Sequence, residues 1–134
     1  MRSWASTKWS PGPERLQHLA SAFAGDASVT VVGEPRELNS ETRLALYRTA
    51  QEALTNVLRH SAADRVELRL EYSDAGTRLL VQDHGPGAPV VVGSASPGSG
   101  YGLTGMRERA ELLGGTLSAE PTADGFRVEL WLPA

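Results

Sequence analysis

The sequence predicts an α+β domain, a mixed and mostly antiparallel sheet in two layers with its helices packed on one face. Three observations carry that reading. A strongly amphipathic helix spans about 40–60, clean alternation marks a strand over 65–72 before the turn at 73–76, and a second hairpin closes the chain. The 134 residues suffice for one core without cross-links. The order expected along the chain is helix, strand, helix, strand, strand, loop, helix, strand, strand, with no internal repeat.

Residues 1–13 read as a linker or disordered tail, with Trp4, Trp9, Pro11 and Pro13 in no period; the domain is expected over 14–134. Leu16, Leu19, Ala20 and Phe23 have helical spacing, and Gly25-Asp26 ends that helix. Residues 29–32 form a short strand, and Gly33-Glu34-Pro35 a turn. Asn39 or Ser40 caps the long helix, and Glu41 suits its first turn. At ~100° per residue, setting Glu52 to zero puts Asn56 near ~40°, Arg59 near ~340° and His60 near ~80°. Leu44, Leu46, Tyr47, Ala50, Ala53, Leu54, Val57 and Leu58 then fill roughly 100° to 280°, the core side. Val66, Leu68, Leu70 and Tyr72 alternate in a strand over 65–72. A return strand over 77–82 delivers Asp83 at its end. Residues 88–99 have no period, Leu103, Met106, Ala110 and Leu113 mark a helix, and Gly114-Gly115 caps it. Strands over 116–119 and 126–132 finish the chain.

Hydrophobic residues at 40% and charged residues at 22% describe an ordinary soluble domain. There is no apolar run long enough to span a bilayer and no signal-peptide pattern. The absence of cysteine excludes disulfides and thiolate metal sites and fits a cytoplasmic setting. A net charge of −3 argues against a nucleic-acid partner.

Three stretches carry chemistry. Asp83-His84-Gly85-Pro86-Gly87 puts a carboxylate at a strand end before two glycines. Such a carboxylate can accept the exocyclic amine of adenine, and the glycines let backbone approach base or sugar closely; the plain alternative is an Asp-x-Gly turn. Gly98-Ser99-Gly100-Tyr101-Gly102-Leu103-Thr104-Gly105 reads as a glycine loop entering a helix, where inward amides and the helix N-terminus favour phosphate; the alternative is a flexible loop. No Walker or Rossmann context surrounds it. On the long helix, Asn56 offers a neutral oxygen suited to Mg²⁺. Glu52 suits a base or a water-orienting role, and Arg59 and His60 suit phosphate. A solvated helix face is the alternative, weakened because Asn56 is a poor helix former.

Gln51-Glu52-Ala53-Leu54-Thr55-Asn56-Val57-Leu58-Arg59-His60, Asp83-His84-Gly85-Pro86-Gly87 and Gly100-Tyr101-Gly102-Leu103-Thr104-Gly105-Met106-Arg107-Glu108-Arg109 together resemble the N, G1 and G2 boxes of the GHKL ATP-binding superfamily. The run from Gly102 to Gly115 is similar to sensor histidine kinases of the nitrate-sensor and lipid-thermosensor type. The resemblance covers residues 29–133. It implies a Bergerat fold binding Mg-ATP between the long helix and the loop before Leu103. By motif match Asn56 holds Mg²⁺, Asp83 reads adenine, Gly85 and Gly87 line base and ribose, and Gly100, Tyr101, Gly102, Leu103 and Thr104 with His60 serve the phosphates. Glu52 matches a general-base position of related ATPases, Arg59 a phosphate-contacting one, and residues 88–99 a short lid.

Two departures shape the functional expectation. A complete kinase of this type carries a dimerisation domain with a phosphoacceptor histidine in an acidic His-Asp context. His18, in Arg15-Leu16-Gln17-His18-Leu19-Ala20, lacks that context and reads as a surface residue. His84 stands where Asp or Asn is expected and should face solvent. The chain is therefore expected to be the catalytic half of a two-component kinase. It would pass the γ-phosphoryl of ATP to a histidine on a separate domain, with a response regulator served indirectly, while making no membrane contact itself. The rivals are an anti-sigma-factor serine kinase of the same fold and a non-catalytic nucleotide-sensing module.

Overall fold

A computed structural model describes residues 13–23, 26–60, 65–84, 97–123 and 125–134, leaving aside the side chains of 58–60 and 97–103. The expected tail lies outside these residues except for Pro13, which opens a 3-10 turn, Pro13–Arg15. Then follow α1 (Leu16–Ala22), β1 (Asp26–Val32), α2 (Ser40–His60), β2 (Arg65–Tyr72), β3 (Gly76–His84), α3 (Pro97–Leu112), β4 (Thr116–Thr122) and β5 (Gly125–Pro133). The predicted order holds. Most strands run longer than alternation alone indicated, because ladder bonding continues past the last clear apolar residue.

The five strands lie in the order β1-β2-β3-β5-β4. β1 runs parallel to β2, with Asp26 opposite Arg65, and the long α2 makes the crossover that a parallel pair requires. The other pairings are antiparallel. Ser73, Asp74 and Ala75 connect β2 to β3 in a turn closed by Ser73 N–H to Gly76 O at 2.9 Å and Gly76 N–H to Ser73 O at 3.2 Å. Val66, Leu68 and Leu70 of β2, Leu79 and Val81 of β3, and Val128, Leu130 and Leu132 of β5 point to one face and form the core with the helices. The opposite face is polar. There Arg78 reaches Glu129 at 3.0 Å and lies 5.5 Å from the Trp131 ring centroid.

Each helix end has an identifiable cause. Asn39, not Ser40, caps α2: its Oδ1 accepts the Thr42 N–H at 2.8 Å. α3 ends in a Schellman pattern. Gly114 N–H bonds Glu111 O at 3.0 Å, Gly115 N–H bonds Ala110 O at 2.8 Å, and Gly114 adopts φ +85°.

Two expectations need correction. First, α3 begins at Pro97, six residues before Leu103, so Gly98, Gly100 and Gly102 sit in its opening turns and not in a preceding loop. Proline suits a first helical position because its φ is already helical and its missing N–H would be unpaired there anyway. Second, the buried arc of α2 is turned relative to the wheel. Leu44 and Tyr47 are only half-buried, whereas Ala45 and Thr49, at ~20° and ~60° on the same wheel, are buried. The helix packs on α1, the 3-10 turn and α3 as well as on the sheet, so its buried arc is wider than one sheet-facing stripe.

Candidate functional site

Asp83 is the penultimate residue of β3, on the helix-covered face beside Val81, and only 3% exposed. A buried carboxylate is costly without hydrogen bonds. Here Oδ1 accepts the Phe126 N–H of β5 at 2.8 Å, which holds the group in one orientation. Gly125 makes the seat possible, because a Cβ there would collide with the Asp83 carbonyl and lie 2.5 Å from Oδ1. From the other face Gln82 Nε2 donates to Asp83 O at 2.9 Å, to Thr122 Oγ1 at 3.0 Å and to Phe126 O at 3.3 Å. Those bonds tie β3 to the β4–β5 hairpin where Asp83 sits. None of Gln82, Gly125 and Phe126 was singled out by motif reading. Only the turn propensity of Asp124-Gly125 was visible as a signal.

The second contribution comes from α2. Glu52 and Asn56 lie one turn apart and both are half-buried. Asn56 Oδ1 is fully buried yet has no hydrogen-bond partner among the described residues. A buried acceptor left unpaired costs about 1–3 kcal/mol, so its retention calls for a ligand-side explanation. Its neighbour Thr55 is already satisfied, donating to Gln51 O at 2.9 Å.

The third element is α3, which packs against α2 and against β4. Met106 packs on the core and Arg107 Nε donates to Leu117 O at 3.3 Å. Thr104 is exposed and space beside Gly105 is open to 4 Å. The backbone of Gly100, Tyr101, Gly102 and Leu103 is helical. The side chains of Arg59, His60, Tyr101 and Leu103 lie outside the described residues, as do Gly85, Gly87 and residues 88–96 of the expected lid, whose last three residues, 97–99, instead belong to α3. His84 sits on the polar face, where Nε2 meets Glu67 Oε1 at 3.1 Å; it is engaged there rather than simply facing solvent.

α2 packs on β3 and on α3, and Asp83 lies at the end of β3 away from the β2–β3 turn. A cleft of about 420 Å³ at the opposite end, lined by Glu34, Arg36, Tyr72, Ser73 and Asp74, is separate. Its Arg36 already donates to Ser73 O.

The family described as histidine kinase-, DNA gyrase B-, and HSP90-like ATPase matches residues 41–134. The chain belongs to that family. Its relatives there are sensor kinases. The signal transduction histidine-protein kinase/phosphatase UhpB of Salmonella typhimurium is 41% identical over 99 residues, 72% of this chain and 18% of UhpB. The nitrate/nitrite sensor NarX of Escherichia coli is 38% identical over 60% of this chain and 13% of NarX. The chain therefore spans less than a third of the length of these kinases. Among solved structures, the ATP-binding domain of PrrB from Mycobacterium tuberculosis superposes with a TM-score of 0.64 at 30% identity, covering 90% of this chain and 89% of that one. A blue-light-activated histidine kinase domain from Erythrobacter litoralis gives 0.66 at 26% identity, over 90% of this chain and 63% of that one. The fold is the GHKL ATP-binding fold of sensor histidine kinases, and ATP is the ligand the family implies. Among the described residues, no helix is long and apolar enough to cross a membrane.

Proposed function

We propose that this domain, residues 14–134, binds Mg-ATP and donates the γ-phosphoryl group to a histidine carried by another domain of its parent kinase. The observation that supports this reading best is the buried Asp83 carboxylate, oriented by the Phe126 N–H at the site end of the sheet. A fixed acceptor of that kind suits the amine of adenine and disfavours guanine, which presents a carbonyl in its place. Gly85 and Gly87 line base and ribose, and the opening of α3, with Gly100, Tyr101, Gly102, Leu103 and Thr104, meets the phosphates, where helix amides favour negative charge.

The orphaned Asn56 Oδ1 would hold Mg²⁺, a hard cation that takes oxygen ligands. The ion would supply charge neutralisation on the phosphate oxygens. Glu52 orients or deprotonates the incoming nucleophile, while Arg59 and His60 balance phosphate charge. The bond to the bridging oxygen of ADP breaks as a bond to the acceptor imidazole nitrogen forms, so the chain's main task is positioning. Transfer onward to a response regulator follows outside this domain.

Calorimetric titration with ATP and with GTP, each with and without Mg²⁺, tests the reading. ATP should bind with a Mg²⁺-dependent affinity that Asn56→Ala loses, and GTP should bind far more weakly. No heat with ATP up to ~1 mM would sink it.

A further inference from the structure

The two outer strands of the sheet are unequal. An edge strand presents unpaired N–H and C=O groups, and proteins blunt such edges with proline, charge or cover. β4 is blunted: Pro121 cannot donate and Glu120 adds charge beside it. β1 has neither defence. Its sequence is Asp-Ala-Ser-Val-Thr-Val-Val, with one charge at its start and no proline. Its backbone pairs with β2 on one side and with no described residue on the other. Val31 and Val32, 51% and 38% exposed, stand at its end on opposite faces of the sheet. α1 packs on β1 and Ala27 and Val29 join the core, but Val31 remains uncovered.

We propose that β1 pairs antiparallel with β1 of a second copy of this chain, joining the two sheets edge to edge. The sequence is self-complementary in that arrangement. A register centred on Val29 sets Ala27 against Val31, Ser28 against Thr30 and Asp26 against Val32, so no carboxylate meets another across the seam. The pairing two-fold stands perpendicular to the sheet, which is the isologous symmetry of a closed dimer. Both helix layers then lie on the same side, and α1 comes beside its counterpart. The exposed α1 residues Gln17, His18, Ser21 and Ala22 include no carboxylate or guanidinium to oppose that approach. Val31 of each copy covers the flank of the other's Ala27, which accounts for its exposure in a single chain. The inference uses the sheet alone and stands apart from the nucleotide reading.

Sedimentation equilibrium of the full 134-residue chain from about 10 μM to 1 mM tests it. A reversible monomer–dimer equilibrium is expected. Val31→Lys and, on the other face, Val32→Lys should each lower the association constant about tenfold or more while melting cooperatively as folded monomers. Leu112→Ser, which changes the exposed apolar residue of α3, should leave association unchanged. Hydrogen exchange of the β1 amides should slow as concentration rises. A chain monomeric at ~1 mM, a dimer indifferent to both lysine variants, or one broken by Leu112→Ser would overturn the proposal.

Discussion

The two ends of the sheet are built to different purposes. At the end holding the β2–β3 turn, polar groups are spent on the protein itself. Ala134 N–H bonds Ala75 O at 2.8 Å, Arg36 donates to Ser73 O, and Glu14 pairs with Arg43 near Tyr72. Gly115 lets α3 return against the Trp131 carbonyl, where a Cβ would collide. At the other end the same backbone economy seats Asp83, while the helix above it keeps an acceptor with no described partner. One end closes the fold; the other buries an acceptor, Asn56 Oδ1, with no partner among the described residues. Stability and ligand affinity should therefore respond separately to changes at the two ends.

The largest effect should come from Gly115→Ala. Relieving its collision with β5 requires backbone movement, and about 3 kcal/mol of stability should be lost in urea unfolding, with ATP affinity per folded molecule unchanged. A comparable loss of affinity would break the comparison. Next is Asp83→Asn, which keeps the shape but removes the charge. ATP affinity should fall about 10–100-fold by calorimetry, with discrimination against GTP reduced, while the fold survives.

Asn56→Ala sharpens the contrast because the two readouts should move in opposite directions. Mg²⁺-dependent binding should be lost, yet the melting temperature should stay level or rise. A poor helix former is removed together with an unpaired buried acceptor that costs about 1–3 kcal/mol. A clear drop in melting temperature would mean that Asn56 serves the fold.

The smallest effect concerns pH at the closed end. Burial raises the Tyr72 hydroxyl above its ordinary value, Glu14 adds to that shift, and Arg43 opposes it. The unfolded chain thus ionises this tyrosine first. The contribution is complete below the unfolded value and is lost as pH rises through it and toward the folded one. Denaturant midpoints measured at about pH 9 and about pH 11 should fall less in Tyr72→Phe than in the natural chain.

Much of this was legible in the residues. Alternation in β2 located its ends, the N-cap at 39 or 40 and the Gly114-Gly115 stop located the helix ends they bound, and the three motifs pointed to one nucleotide site. The failures share a cause. The start of α3 was misplaced because glycines lower helix propensity without forbidding a helix that Pro97 can open. The α2 wheel was turned because a single sequence does not say that a helix has neighbours on two sides.

By itself, then, the sequence determined the order of elements and the alternation of β2, because these follow from local period and side-chain chemistry. Only the tertiary structure decided that Asp83 is buried and oriented by Phe126, that Gly125 must be small, and that Asn56 Oδ1 is shut from water without a described partner. Each of these depends on strands or helices far apart in the chain. Burial and close approach arise when such segments meet, and no local spacing records that meeting.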